Sequence, residues 1–284
     1  MQGGCGYSLD AAGHLPEGMI VNTLRILMRA LLCLAAMQAP ANTRAAVPVQ
    51  PLRVAAAADL KFALDEVVVK YRQVRPDVEV NLVFGSSGRF YAQLTNGAPF
   101  DLYLSADVAY PRRLVAEGIA LPGSEFPYAV GRIVLWVPKE SPLAVEKDGM
   151  KVLQADAVKR LAIANPQHAP YGKAAEAALK KYGVYDQTKD KLVLGENAAQ
   201  TAQFAQTRSV DAAILPLSLA SAPALTTDGR YWLIPMEAHP KLEQVGVRIK
   251  ASTNPDAAKH FAEFLAGPDG RAILKRYGFI LPGE

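Results

Sequence analysis

The sequence predicts an α/β protein. Short apolar strands alternate with amphipathic helices along the chain, and at least four strands run almost directly into a helix through small or polar residues. Half of the 284 residues are hydrophobic. About 238 residues, once a leader is set aside, can bury a sizeable core as one large domain or two lobes.

Residues 53–57 read as the first strand. Leu60, Ala63, Leu64, Val67, Val68 and Tyr71 then recur at helical spacing. Val78, Val80, Leu82 and Phe84 alternate as a strand, and the helix after it carries Phe90 and Leu94. A short strand at 102–104 precedes a helix over 108–119. Strands at 133–137 and 161–164 lead to an alanine-rich helix over 173–182. A strand at 192–194, a helix at 198–206 and a strand at 212–215 follow. Late strands at 231–234 and 245–249 precede two closing helices, 255–266 and 268–277. Trp136, Tyr231 and Trp232 are expected to pack the core at strand positions.

The first 46 residues read as a leader. Arg25 and Arg29 precede an apolar run over 30–37, and small residues follow at 39–41 and 45–46. Positive, then apolar, then small is the order of a secretory signal peptide. Its apolar core is far shorter than the ~20 residues of a membrane span, and bulky Leu32 argues against a lipid on Cys33. Both cysteines, Cys5 and Cys33, fall in this leader, so the exported chain is expected to lack disulfide and thiol chemistry. The leader holds three Arg and two acidic residues of a chain whose formal net charge is +4, which leaves +3. That mild, dispersed charge excludes a nucleic-acid partner.

The junctions carry more information than the elements. They are Ala57-Ala58-Asp59, Gly85-Ser86-Ser87-Gly88, Pro170-Tyr171-Gly172 and Glu196-Asn197-Ala198. In open α/β sheets ligands sit outside the carboxyl ends of the strands, where such turns gather. A helix start offers unpaired N–H groups and the positive end of a dipole. Converging helix mouths would form an anion site built from neutral donors. Taken alone, Gly85-Ser86-Ser87-Gly88 also suits a structural cap, since Ser is a preferred N-cap and Gly is common in turns. It lacks the Lys-Ser/Thr of a nucleotide P-loop and is not G-x-G-x-x-G.

Five segments occur together and in order: VAAAADLKFALDEV (54–67), FGSSGRFYAQLTNGAPFDLYLSAD (84–107), LAIANPQHAPYGKAAEAAL (161–179), LGENAAQTAQFAQ (194–206) and LKRYGF (274–279). Their combination resembles the periplasmic molybdate-binding proteins of molybdate ABC importers, over about residues 52–282. The resemblance implies a two-lobed type II periplasmic binding protein fold, with mixed sheets flanked by helices and the ligand in the interlobe cleft. Lobe 1 would comprise 51–128 plus 237–284, and lobe 2 would comprise 129–236. The implied activity is periplasmic capture of molybdate or tungstate and delivery to an ABC permease, with no catalysis, no cofactor and a monomeric chain. Molybdenum would be present only as the bound oxyanion.

The resemblance also implies the contacts. Ser87 would meet the anion with hydroxyl and backbone N–H, supported by Ser86. Tyr171 and Ala198 would donate backbone N–H groups. Ala58 falls where many members place a ligand-binding serine, and Pro216 near a tyrosine used by some, so two hydroxyl donors are absent here. N–H groups at 59 or 88, or Ser218, are candidate replacements.

Asp59 constrains the anion. A carboxylate turned outward complements the helix dipole. One turned into the pocket would repel a proton-free dianion yet accept a proton from a monohydrogen anion such as phosphate. Phosphate therefore stays open as an alternative ligand, and sulfate stays open as another tetrahedral oxyanion. A rival from another class is an exported serine hydrolase using Ser86 or Ser87, although the spacing does not match G-x-S-x-G. His168, two residues before Pro170, is expected as a loop histidine, with a place at the cleft rim as the alternative. The histidines lack paired ligand spacing, so a protein-bound metal cation is not expected.

Overall fold

The computed structural model describes residues 51–284; the expected leader lies outside the described residues. The strands are β1 (Leu52–Ala57), β2 (Val80–Gly85), β3 (Leu102–Ser105), β4 (Phe126–Gly131), β5 (Ile133–Pro138), β6 (Leu161–Ala164), β7 (Leu192–Gly195), β8 (Ala212–Pro216), β9 (Gly229–Leu233) and β10 (Leu242–Arg248). They form two five-stranded sheets, ordered β2-β1-β3-β10-β4 and β7-β6-β8-β5-β9. In the first, β1 runs parallel to β2 and β3, while β10 runs antiparallel to β3 and β4. In the second, β6 runs parallel to β7 and β8, while β5 runs antiparallel to β8 and β9. The chain leaves the first sheet after Gly131, enters the second at Ile133, and returns between Leu233 and Leu242.

Both sheets are covered on both faces, which is why their central strands read as continuous apolar runs. Within β1, side chains alternate between two cores. Val54 and Ala56 pack with Leu64, Val67 and Tyr71 of the helix Lys61–Val74 and with Phe261 and Leu265 of the helix Pro255–Ala266. Ala55 faces the opposite core, with Phe90, Leu94, Leu114 and Val247. The same alternation organises β5. Ile133, Leu135 and Val137 meet Ala174, Ala175, Ala178 and Leu179 of the helix Pro170–Lys181, and Val134 and Trp136 meet Ala198, Ala202 and Ala205 of the helix Ala198–Gln206. No described helix is long and apolar enough to cross a membrane.

Some elements depart from the sequence expectations. β4 was not expected, because Pro127 interrupts its apolar pattern. Pro is tolerated there because β4 is the edge strand, paired along its length to β10 and on its other side only by a bridge from Val130 to Ile280, away from Pro127. The alanine-rich helix begins at Pro170 rather than 173, since Pro pre-organises the first helical position. Four helices of four to six residues, Val145–Asp148, Tyr185–Thr188, Leu217–Ala220 and Pro223–Asp228, are too short to show a period. Trp136 is fully buried, but Tyr231 is exposed and Trp232 only partly buried.

The helix Pro170–Lys181 rests its first turn directly on the end of β6. A Cβ at Gly172 would lie 2.1 Å from the Ala164 carbonyl oxygen, a backbone atom that cannot step aside. Gly172→Ala is expected to cost about 1–3 kcal/mol by overpacking, measured by denaturant unfolding. An unchanged midpoint would show that this helix start is not held against the strand.

Candidate functional site

Three helices open onto one small pocket. The helix Ser87–Thr95 follows β2, Pro170–Lys181 follows β6, and Ala198–Gln206 follows β7. The first belongs to one sheet and the other two to the second, so the pocket draws on both lobes. Ala58, Asp59, Ser86, Ser87, Tyr171 and Ala198 all line it, within ≈ 200 Å³ of empty space including its mouth. No Lys, Arg or His lines the pocket; Asp59 is its one ionisable carboxyl.

The local chemistry leaves donors pointing where they are needed. The first N–H groups of a helix have no intrahelical acceptor. At the third helix, the Asn197 side chain accepts from Ala199 N at 3.0 Å and Gln200 N at 3.1 Å, one step beyond the opening N–H of Ala198. At the first helix, Ser86 adopts the extended N-cap conformation but makes no side-chain cap bond. Ser87, fully buried, accepts from Ala106 N at 3.0 Å through its hydroxyl oxygen. That bond occupies a lone pair and leaves the hydroxyl proton to donate. Tyr103 fixes the same residue by donating to the Ser87 carbonyl at 2.8 Å.

Asp59 sits in the three-residue 3₁₀ turn Ala58–Leu60 between β1 and its helix and is only 1% exposed. It does not turn out to solvent as a dipole complement. Tyr171 donates its hydroxyl to Asp59 Oδ2 at 2.8 Å, and Gln244 Nε2 donates to the same oxygen at 2.6 Å and to the Tyr171 hydroxyl at 3.0 Å. Asp59 Oδ1 is buried without a partner. Burial pushes the Asp59 carboxyl up to about 6, against the smaller opposing pull of the Gln244 and Tyr171 bonds. The Tyr171 hydroxyl is driven well above its ordinary value, mainly by burial and then by the neighbouring Asp59 charge.

Two proposed replacement donors are already engaged. Gly88 N donates to the His168 carbonyl at 2.9 Å, and the Ser218 hydroxyl donates to the Asp59 carbonyl at 2.7 Å. The rim itself is tied across the lobes. Ser86 Oγ lies 2.9 Å from His168 Nδ1, His168 Nε2 lies 3.8 Å from Glu196 Oε2, and Arg89 Nη2 donates to that same oxygen at 2.8 Å. His168 is therefore not a simple loop residue.

Sequence reasoning missed Gln244, Glu196 and Arg89. Gln244 had a visible signal, since it opens the apolar run Val245-Gly246-Val247 of β10, where residues 244–247 are all buried, and a polar residue in such a position needs partners. Glu196 and Arg89 are ordinary surface charges whose meeting depends on the tertiary fold. Among the described residues no group of three His, Cys, Asp or Glu is placed to hold a metal ion.

Comparison with known proteins places this geometry in context. The profile of the bacterial extracellular solute-binding protein family matches residues 52–280. The chain is 38% identical to a molybdate-binding protein of Rhodobacter capsulatus over 201 residues, 71% of this chain and 77% of the relative. It is 39% identical to that of Azotobacter vinelandii over 198 residues, 70% and 77% of the two chains. The solved structure of the periplasmic molybdate-binding protein of Azotobacter vinelandii superposes with a TM-score of 0.76 at 32% identity, covering 81% of this chain and 99% of that one.

The Asp59 carboxyl has a consequence for stability. Its folded value, about 6, lies above its ordinary 3.8, so its favourable contribution is complete below that ordinary value and is lost as pH rises through the folded one. Relative to Asp59→Asn, the unliganded wild type is expected to lose up to about 3 kcal/mol between pH 3 and pH 8. Parallel unfolding curves for the two proteins across that range would refute the buried ionisation.

Proposed function

The chain belongs to the family of bacterial extracellular solute-binding proteins, and we propose that it captures molybdate or tungstate in the periplasm for delivery to an ABC permease. The observation that carries this reading is the convergence of three helix N-termini, from both lobes, on one small pocket free of Lys and Arg. Neutral donors there replace the water shell of a tetrahedral oxyanion. The Ser87 hydroxyl and N–H, the Tyr171 N–H and the Ala198 N–H are the contacts, with Ser86 and Ala58 completing the wall. Each hydrogen bond to a charged group contributes about 1.5–3 kcal/mol, and together they reach the roughly −8 kcal/mol of a micromolar scavenger.

In this reading the ligand is bound in the interlobe cleft, lobe 1 is 51–128 plus 237–284 and lobe 2 is 129–236, and the protein acts as a monomer, without cofactor or catalysis. Closure is a hinge motion at the two crossings. The Ser86–His168–Glu196–Arg89 chain works as a latch. Those residue types also make up a nucleophile, base and acid, but the 3.8 Å from His168 to Glu196 exceeds a hydrogen bond and Arg89 already engages the carboxylate.

A thermal-shift panel of molybdate, tungstate, sulfate and phosphate tests the assignment. At 100 times its dissociation constant a ligand adds about 2.7 kcal/mol to the folded state, so molybdate and tungstate are expected to raise the Tm clearly. A rise with phosphate alone would transfer the site to a protonated anion. Ser87→Ala is expected to weaken molybdate binding at least tenfold, about 1.4 kcal/mol, in titration calorimetry while the unliganded protein stays folded. Unaltered affinity would remove Ser87 from the site. Ester turnover lost on the same substitution would instead favour a hydrolase.

A further inference from the structure

Asp59 presents a contradiction if the pocket receives a proton-free dianion. A carboxylate that is 1% exposed, in a wall otherwise made of neutral donors, would repel the guest. Its two oxygens are not equivalent. Oδ2 accepts from both Tyr171 and Gln244, whereas Oδ1 is buried with no partner. Resting on the oxyanion reading above, we propose that Asp59 binds the anion as a neutral carboxylic acid, with the proton on Oδ1 donated to an anion oxygen, so that each dianion captured takes up one proton.

The chemistry is balanced: the proton comes from solvent, no covalent bond to the anion forms, and the pocket gains a donor near the hydroxyl missing at Ala58. The partners on Oδ2 are both donors, which fixes that oxygen as the acceptor and directs the proton to Oδ1. Ionisable neighbours do not supply a competing charge. Tyr171, from the second lobe, and Tyr128, from β4, are the titratable groups that feel Asp59, and burial holds both hydroxyls well above their ordinary value. Ser218, from the short helix Leu217–Ala220 after β8, donates only to the Asp59 backbone, and the helix Ala198–Gln206 presents alanine. Lys61, two residues on, lies 3.6 Å from Asp65. The unliganded carboxyl titrates near 6, so it is charged at neutral pH and must be protonated as the guest enters. A monohydrogen anion inverts this logic, because it brings the proton itself and would meet an ionised Asp59.

Titration calorimetry of the exported chain with sodium molybdate at pH 7.5, in buffers of different ionisation heat, counts the protons. About one proton taken up per molybdate is expected, with affinity falling about tenfold per pH unit between pH 7 and 8.5. Asp59→Asn offers an N–H donor in place of the acid and is expected to bind with neither proton uptake nor that pH slope. Molybdate binding by the wild type with no proton taken up would overturn the proposal, as would unchanged uptake in the variant. If the variant does not fold, the wild-type count decides alone. No molybdate or tungstate heat at any pH would instead remove the oxyanion assignment, and this inference with it; phosphate binding without proton exchange would identify the protonated-anion alternative.

Discussion

A helix begins with N–H groups that no carbonyl of its own can satisfy, and the architecture of this protein brings three such beginnings to one place. Parallel strands of two separate sheets end on the same side, and each hands the chain to a helix through a short junction, one residue after β2, five after β6 and two after β7. The small residues at those junctions follow from this. At Gly172 a side chain would strike the Ala164 carbonyl, and at Gly88 it would strike His168 of the opposing lobe. In the proposed site neutral dipoles do the gripping, because they are fixed before the guest arrives and need no counter-charge rearranged on capture.

One cluster of buried polar groups lies where the lobes meet. Asp59, Tyr171 and Gln244 come from lobe 1, lobe 2 and the strand that returns from one to the other, and they are joined by three mutual hydrogen bonds. Such a cluster is costly to assemble incompletely, because each member left alone is a polar group stranded in an apolar interior. It therefore favours the one arrangement in which all three meet. The outer chain from Ser86 to Arg89 is more exposed and contributes little to stability, but it sets how the rim meets.

Much of this was legible in the sequence, for reasons particular to each element. Val54, Ala55 and Ala56 are all apolar because β1 is covered on both faces, and the helical spacing from Ala63 to Tyr71 follows from a single buried stripe. The six pocket residues were found because strand-to-helix junctions are local features and because the five segments carry a family resemblance. What the sequence hid was orientation and long-range pairing. No local rule says which way Asp59 turns after a strand, and its partner Gln244 lies 185 residues away. His168 looked like a loop residue because its contact with Ser86 spans 82 residues and two lobes. β4 was hidden by Pro127, whose tolerance depends on being at a sheet edge.

The position of β10 has a consequence for how the molecule comes into being. It is the last strand of the chain, yet it lies inside the first sheet, antiparallel to both β3 and β4. As the polypeptide emerges from the ribosome amino end first, those two strands present open edges until residue 248 has been made. Loop-closure entropy delays such distant pairings further. The completed molecule is thus assembled only after nearly all of it has been synthesised.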